Sequence, residues 1–115
     1  MNRDAVYLRH IADAADRIAR YVAVGRDRFM AETHWQDAVI RQLEIIGEAT
    51  KRLSSDFRAN HPEIEWRRMA GLRDVLIHDY MGVDLDAVWE ITQGPVPDLR
   101  RRIDELLGEA GDAVN

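Results

Sequence analysis

The chain has no cysteine, a single lysine, and only three prolines and seven glycines in 115 residues. Without cysteine, a disulfide scaffold and a thiolate zinc site are both excluded. No apolar run approaches the ~18 residues of a membrane span. Met1-Asn2-Arg3-Asp4 is not followed by an apolar stretch, so the chain does not open as a signal peptide and a cytoplasmic protein is expected. There are no repeats and no low-complexity segments. Positive charge is also lacking: the formal net charge is −5. A protein that coats nucleic acid without regard to sequence needs a positive surface, so only local contact through a few basic side chains remains open.

What is present describes one folded domain, residues 1–115. Hydrophobic residues make up 46% and charged residues 32% of the chain, which argues against disorder. The length allows one modest core, and a chain this short often gains stability from a second subunit. Of the sixteen basic residues only Lys51 is lysine. Arginine offers a planar fork suited to phosphate and carboxylate, although a GC-rich genome produces the same bias.

Helical periodicity dominates. Tyr7, Ile11, Ala14, Ile18 and Tyr21 form one apolar stripe, opposite Arg9, Asp13, Asp16, Arg17 and Arg20, which predicts a first helix from about Arg3 to Val24. Gly25 is its stop signal. Arg26 to Glu32 reads as a short link of one helical turn capped by Asp27, and Thr33 as an N-cap with Gln36 as its capping-box partner. A second helix follows from about His34 to Leu53, with Trp35, Val39, Leu43, Ile46, Ala49 and Leu53 inward. Ile45 and Gly47 widen its apolar arc, as contact with more than one neighbour would require; a mid-helix glycine costs ~1 kcal/mol relative to alanine. Ser54 to Pro62 reads as a connector and Trp66 as the start of a short turn ending near Gly71. A third helical segment is predicted from Leu72 to Tyr80. A fourth, capped by Asp84, carries Leu85, Val88, Trp89 and Thr92. The last is regular from about Asp98, with Val96, Leu99, Ile103, Leu106 and Leu107 inward and a tail that frays beyond Gly108. Short connections make this an all-α, compact antiparallel bundle of about five helices.

Chemistry concentrates in Gly71-Leu72-Arg73-Asp74-Val75-Leu76-Ile77-His78-Asp79-Tyr80. A permanent guanidinium, an imidazole and a phenol fall within eight residues. Arginine stabilises charge that builds on a phosphoryl group, and histidine is the side chain most readily poised for proton transfer near neutrality. On an ideal helix Arg73 and Tyr80 share a stripe, whereas His78 is turned from Arg73 by about 140°. Either the helix ends or distorts near His78, or the two groups meet a second copy across a two-fold axis. The plainer reading is a surface pair between Asp74 and His78, four residues apart.

This stretch, with Leu43-Glu44-Ile45-Ile46-Gly47-Glu48-Ala49, His61-Pro62, Trp66 and Val83-Asp84 to Val88-Trp89, resembles the HEPN superfamily, and within it the HepT branch, the toxin of HepT/MntA toxin–antitoxin systems. The pattern Arg73-x-x-x-x-His78-x-Tyr80 carries the likeness, which extends from about Asp4 to Leu107. The resemblance implies a HEPN-like homodimer with its active cleft at the dimer interface, and metal-independent RNA cleavage by Arg73 and His78 of both subunits. It implies no cofactor. Its partner would be an MntA-like nucleotidyltransferase antitoxin that transfers AMP to Tyr80, as in type VII systems. The alternative is a non-catalytic dimeric module that binds a nucleotide or docks the nucleotidyltransferase.

Glu48, in the second-helix motif, either orients Arg73 or His78 or is a buried partner of an arginine. Asp74 is a second auxiliary residue. His10, His34 and His61 show no metal-ligand spacing. Arg100-Arg101-Arg102 reads as a solvated face or as a contact for RNA phosphates or an acidic partner, and Trp35, Trp66 and Trp89 as core anchors. The Leu43–Ala49 face and the Arg73–Tyr80 segment are expected near the two-fold axis.

Overall fold

The structure is a computed structural model that describes residues 3–72 and 84–114, with side chains to Gly108. Its elements are α1 (Arg3–Val22), α2 (Arg26–Ala31), α3 (Thr33–Arg52), α4 (Ser55–Asn60), α5 (Trp66–Ala70), α6 (Leu85–Gln93) and α7 (Pro95–Val114). Among the described residues there is no strand, and the expected all-α bundle is what forms.

The long antiparallel pair α1 and α3 is the spine. Leu8, Ile11 and Ile18 of α1 meet a core that holds Leu43 and Ile46 of α3, all fully buried. Removing such side chains from water stabilises the fold by about 1.5–3 kcal/mol each. Both ends of the pair are fastened. At one end Asp4 accepts from the backbone N–H of Ser54 (2.8 Å) and from its hydroxyl (2.8 Å). At the other, the Tyr21 and Trp35 rings lie 6.4 Å apart. α7 packs on the other side of α1, α5 on α3, and α6 on α7.

The wide apolar arc of α3 is covered from within the chain. Val39, Leu43, Ile46, Gly47 and Ala49 are all buried, and Ile45 is half-buried at the edge of the core. The neighbours that the arc requires are therefore elements of the same chain, α1 and α5.

Several boundaries differ from the sequence reading. Ser54 to Pro62 is not a plain connector: the Ser54 hydroxyl, fixed by Asp4, accepts from the Phe57 N–H (3.1 Å) and starts α4. Thr33 is the first residue of α3 rather than its cap. Glu32 holds the cap position, and Gln36 turns back to donate to the carbonyls of Phe29 (2.9 Å) and Met30 (3.1 Å), which satisfies the end of α2 instead. Asp27 does not cap α2, because Gly25 does so without a side-chain bond. Pro95 opens α7 directly, as its fixed φ allows at a first helical position, and the helix continues past Gly108 to Val114. The predicted segment Leu72 to Tyr80 lies outside the described residues after Leu72. Asp84 caps α6 as expected, accepting from the Ala87 N–H (3.1 Å). Of the three tryptophans, Trp66 is a buried anchor whose indole donates to the His61 carbonyl (2.9 Å). Trp89 lies half-buried against the core, whereas Trp35 is not one of the core residues and is half-buried beside Tyr21.

Gly25 joins α1 to α2 at φ +96°, where its N–H donates to the Val22 carbonyl (3.0 Å) and its carbonyl accepts from Phe29 (3.0 Å). A side chain there would meet nothing within 4 Å, so the barrier to substitution is the dihedral alone. Gly25→Ala should lower stability by about 1–3 kcal/mol in urea unfolding. Gly108→Ala, in open space on α7, should raise it by about 0.5–1 kcal/mol. Equal effects of the two changes would contradict this account of the turn.

Candidate active site

Arg73, Asp74, His78 and Tyr80 lie outside the described residues, and so does the choice between a distorted helix and a shared cleft. The structure does define the two supports from which that stretch is hung. On its N-terminal side α5 ends at Gly71, whose N–H donates to the Arg67 carbonyl (3.0 Å). A Cβ at Gly71 would come within 3.3 Å of that carbonyl, tighter than ordinary contact. Leu72 follows and is buried in the core, and α5 packs on α3. On the C-terminal side Asp84 fixes the start of α6, which packs on α7.

Glu48 lies on the solvent side of α3 and is exposed. The reading of a buried carboxylate is therefore corrected: the residue stands on the opposite edge of the helix from Ile46. It lines a shallow groove of about 260 Å³ with Tyr7, His10, Arg41, Ile45, Ala49 and Arg52. A second hollow of about 150 Å³ shares His10 and Ile45 and adds Asp13, Ala14, Arg17 and Gln42. On α3 the groove residues recur at the spacing of one helical face, Arg41, Ile45, Glu48 and Arg52. That signal is legible in the sequence. The facing strip on α1 is not, because it becomes a wall only once α1 lies antiparallel to α3.

Within the groove, Tyr7 and His10 meet edge to face with ring centroids 5.7 Å apart. The Arg3 guanidinium lies 6.0 Å from the Tyr7 ring centre. Its hydrogen bond to the phenol, aided by Arg52, holds the Tyr7 pKa below its ordinary value against the opposing effect of burial. The other histidines sit in different surroundings: His34 against Trp35 (4.8 Å between centroids) and His61 against Phe57 (4.6 Å). His61 also faces Glu63, with its Nδ1 3.6 Å from the carboxylate.

The arginine run of α7 is occupied. Arg100 binds Asp16 of α1 (2.8 Å) and Asp104, Arg101 binds Asp98, and Arg102 binds Glu63 and Glu105. Two of these arginines lash α7 to its surroundings, so the run is a set of ion pairs rather than an open cationic face. Glu63 is held below the usual carboxylate range chiefly by its own backbone N–H, which with help from Arg102 and His61 outweighs the opposing effect of burial.

Comparison with known proteins places these elements in a family. Residues 11–106 match the family described as ribonuclease HepT-like, a span that includes Arg73, His78 and Tyr80. A "Probable ribonuclease HepT" of Thermococcus cleftensis is 43% identical over 101 residues, covering 87% of this chain and 92% of that protein. A "Putative RNase" of Caldanaerobacter subterraneus subsp. tengcongensis is 37% identical over 102 residues, covering 88% of this chain and 91% of that one. A Methanocaldococcus jannaschii protein named "Gamma-glutamylcyclotransferase and putative RNase" is 40% identical over 111 residues, 95% of this chain but 50% of its own length. No solved structure matches the chain. With a family match across most of its length and relatives at 37–43% identity, the chain belongs to the HepT-like ribonuclease family.

Proposed function

We propose that the protein is a metal-independent RNA endonuclease that works as a homodimer, with Arg73 and His78 of both subunits lining one cleft. The observation that carries this reading is the family match over residues 11–106 with Arg73-x-x-x-x-His78-x-Tyr80 inside it.

The chemistry is a transesterification. The ribose 2′-oxygen attacks the adjacent phosphorus, and the bond from phosphorus to the 5′-oxygen breaks. One His78 takes the proton of the 2′-hydroxyl, and the partner subunit's His78 delivers a proton to the departing 5′-oxygen. A single imidazole cannot be acid and base at the same instant, which is the chemical reason for two copies. The Arg73 guanidiniums bind the phosphate by charge-assisted hydrogen bonds and stabilise the charge that accumulates on its oxygens. The products are a 2′,3′-cyclic phosphate and a free 5′-hydroxyl. Glu48 and Asp74 act as positioning residues for the pair.

In this reading the enzyme is a cytoplasmic toxin of a type VII toxin–antitoxin pair. A nucleotidyltransferase antitoxin silences it: the Tyr80 phenolate attacks the α-phosphorus of ATP, pyrophosphate leaves, and AMP remains on the ring. The added bulk and negative charge oppose entry of a phosphodiester. Among the described residues no helix is long and apolar enough to cross a membrane.

Arg73→Ala and His78→Ala should each reduce RNA cleavage by at least 10²-fold while leaving the sedimentation of the dimer unchanged. Cleavage at the wild-type rate by either variant would remove that residue from the site, and a monodisperse monomer at micromolar concentration would contradict the shared cleft. Co-expression with the nucleotidyltransferase should add the mass of one AMP to the wild-type chain and none to Tyr80→Phe. Equal modification of both would exclude Tyr80 as the acceptor.

A further inference from the structure

The arginines divide by what they touch. Those of α7 are closed by carboxylates, and Arg26, Arg28 and Arg68 likewise face Asp86, Glu32 and Glu65. The flank where α1 meets α3 is built differently. Its groove and the adjoining hollow bring Arg41, Arg52 and Arg17 together with Glu48 and Asp13. Arg3 adds a fourth guanidinium above Tyr7. Arg41 also faces Glu44 at 3.5 Å, a pair of the same i, i+3 kind as Arg68–Glu65, and its side chain stays 68% exposed. In a chain of net charge −5, this is a place where guanidiniums outnumber the carboxylates lining the same concavity. One of them, Arg3, lies over the Tyr7 ring.

We infer that this groove seats single-stranded RNA: Arg41 and Arg52 contact its phosphates, and Tyr7 with Ile45 forms the floor on which a base or ribose rests. The inference rests on the ribonuclease reading and deepens it, by naming where the substrate beyond the reacting bond is held. Arg41 and Arg52 are eleven residues apart on α3, about 16 Å along the axis. A mononucleotide reaches one of them, whereas a chain engages both. Asp13 repels phosphate at its own position and so favours backbone contact at the arginines.

Binding of a fluorescein-labelled single-stranded RNA of mixed sequence, followed by anisotropy in the His78→Ala background, tests the inference. The Arg41→Gln/Arg52→Gln double variant should weaken binding at least about tenfold. It should also lower the slope of log K against log salt by about 1.4, since each single-strand phosphate contact contributes about 0.7. Tyr7→Ala should weaken binding roughly 5- to 150-fold, the range of one lost stacking contact. With His78 intact, the double variant should raise KM and leave kcat in place. Circular dichroism and sedimentation of each variant accompany the binding data.

If wild-type protein cleaves RNA and the groove variants bind and cut as it does, the groove assignment is overturned and the ribonuclease reading stands. If the variants lose RNA binding only because they sediment as monomers, the face is a subunit contact and the assignment is likewise overturned. If wild-type protein neither binds nor cleaves RNA, both readings fall together.

Discussion

The antiparallel contact between α1 and α3 is the constraint from which the rest of the architecture follows. It buries Leu8, Ile11 and Ile18 with Leu43 and Ile46, and it is pinned at one corner by Asp4 on Ser54. Three consequences depend on it. The corner it fixes starts α4 through the Ser54 hydroxyl. The inner side of α3 receives α5 and, through Leu72, holds the N-terminal support of the Arg73–Tyr80 stretch. The outer edges of the two helices form the walls of the groove that carries Tyr7, Arg41 and Arg52. Truncating a buried isoleucine such as Ile46 to alanine costs a core of this kind about 2–5 kcal/mol.

The placement of charge explains how an acidic protein handles a polyanion. Long-range attraction is absent at net charge −5, so phosphate must be met by guanidiniums brought together locally. The chain meets that requirement by using its arginines in two ways. Arg100 and Arg102 hold α7 to Asp16 and Glu63, whereas Arg3, Arg17, Arg41 and Arg52 gather on the α1–α3 flank. Arginine suits both tasks, since its fork binds carboxylate and phosphate with the same geometry. The near-absence of lysine fits either a genomic bias or that double use.

Much of the fold is legible in the sequence because its signals are local. The stripes of α1, α3 and α7, the stop at Gly25 and the cap at Asp84 depend on residues within a turn or two of one another. What is not legible depends on distant partners. Ser54 starts a helix because Asp4, fifty residues earlier, fixes its hydroxyl. Gln36 abandons a capping box because the end of α2 offers two unsatisfied carbonyls. Pro95 opens the last helix three residues ahead of the regular start at Asp98 that its stripe suggests. The arginine run of α7 reads as a solvated face until Asp16 and Glu63 are brought beside it. For the site, Arg73, His78 and Tyr80 stand out through spacing and family resemblance, and their geometry lies outside the described residues. Glu48 could be placed on a helix by periodicity, but its exposure could not, because that depends on which edge of α3 the rest of the chain covers.

The account assigns cleavage to the nucleic acid's own 2′-hydroxyl, with protein groups alone moving protons and balancing charge. The most direct measurement is the chemistry of the cut end: RNA incubated with EDTA-treated protein, the fragments resolved by mass spectrometry, beside an identical oligonucleotide carrying 2′-deoxyribose throughout. The account predicts undiminished cleavage of the RNA, fragments ending in 2′,3′-cyclic phosphate, and an intact deoxy strand. Cleavage abolished by EDTA and restored by a divalent cation, or fragments ending in a 3′-hydroxyl, would contradict it.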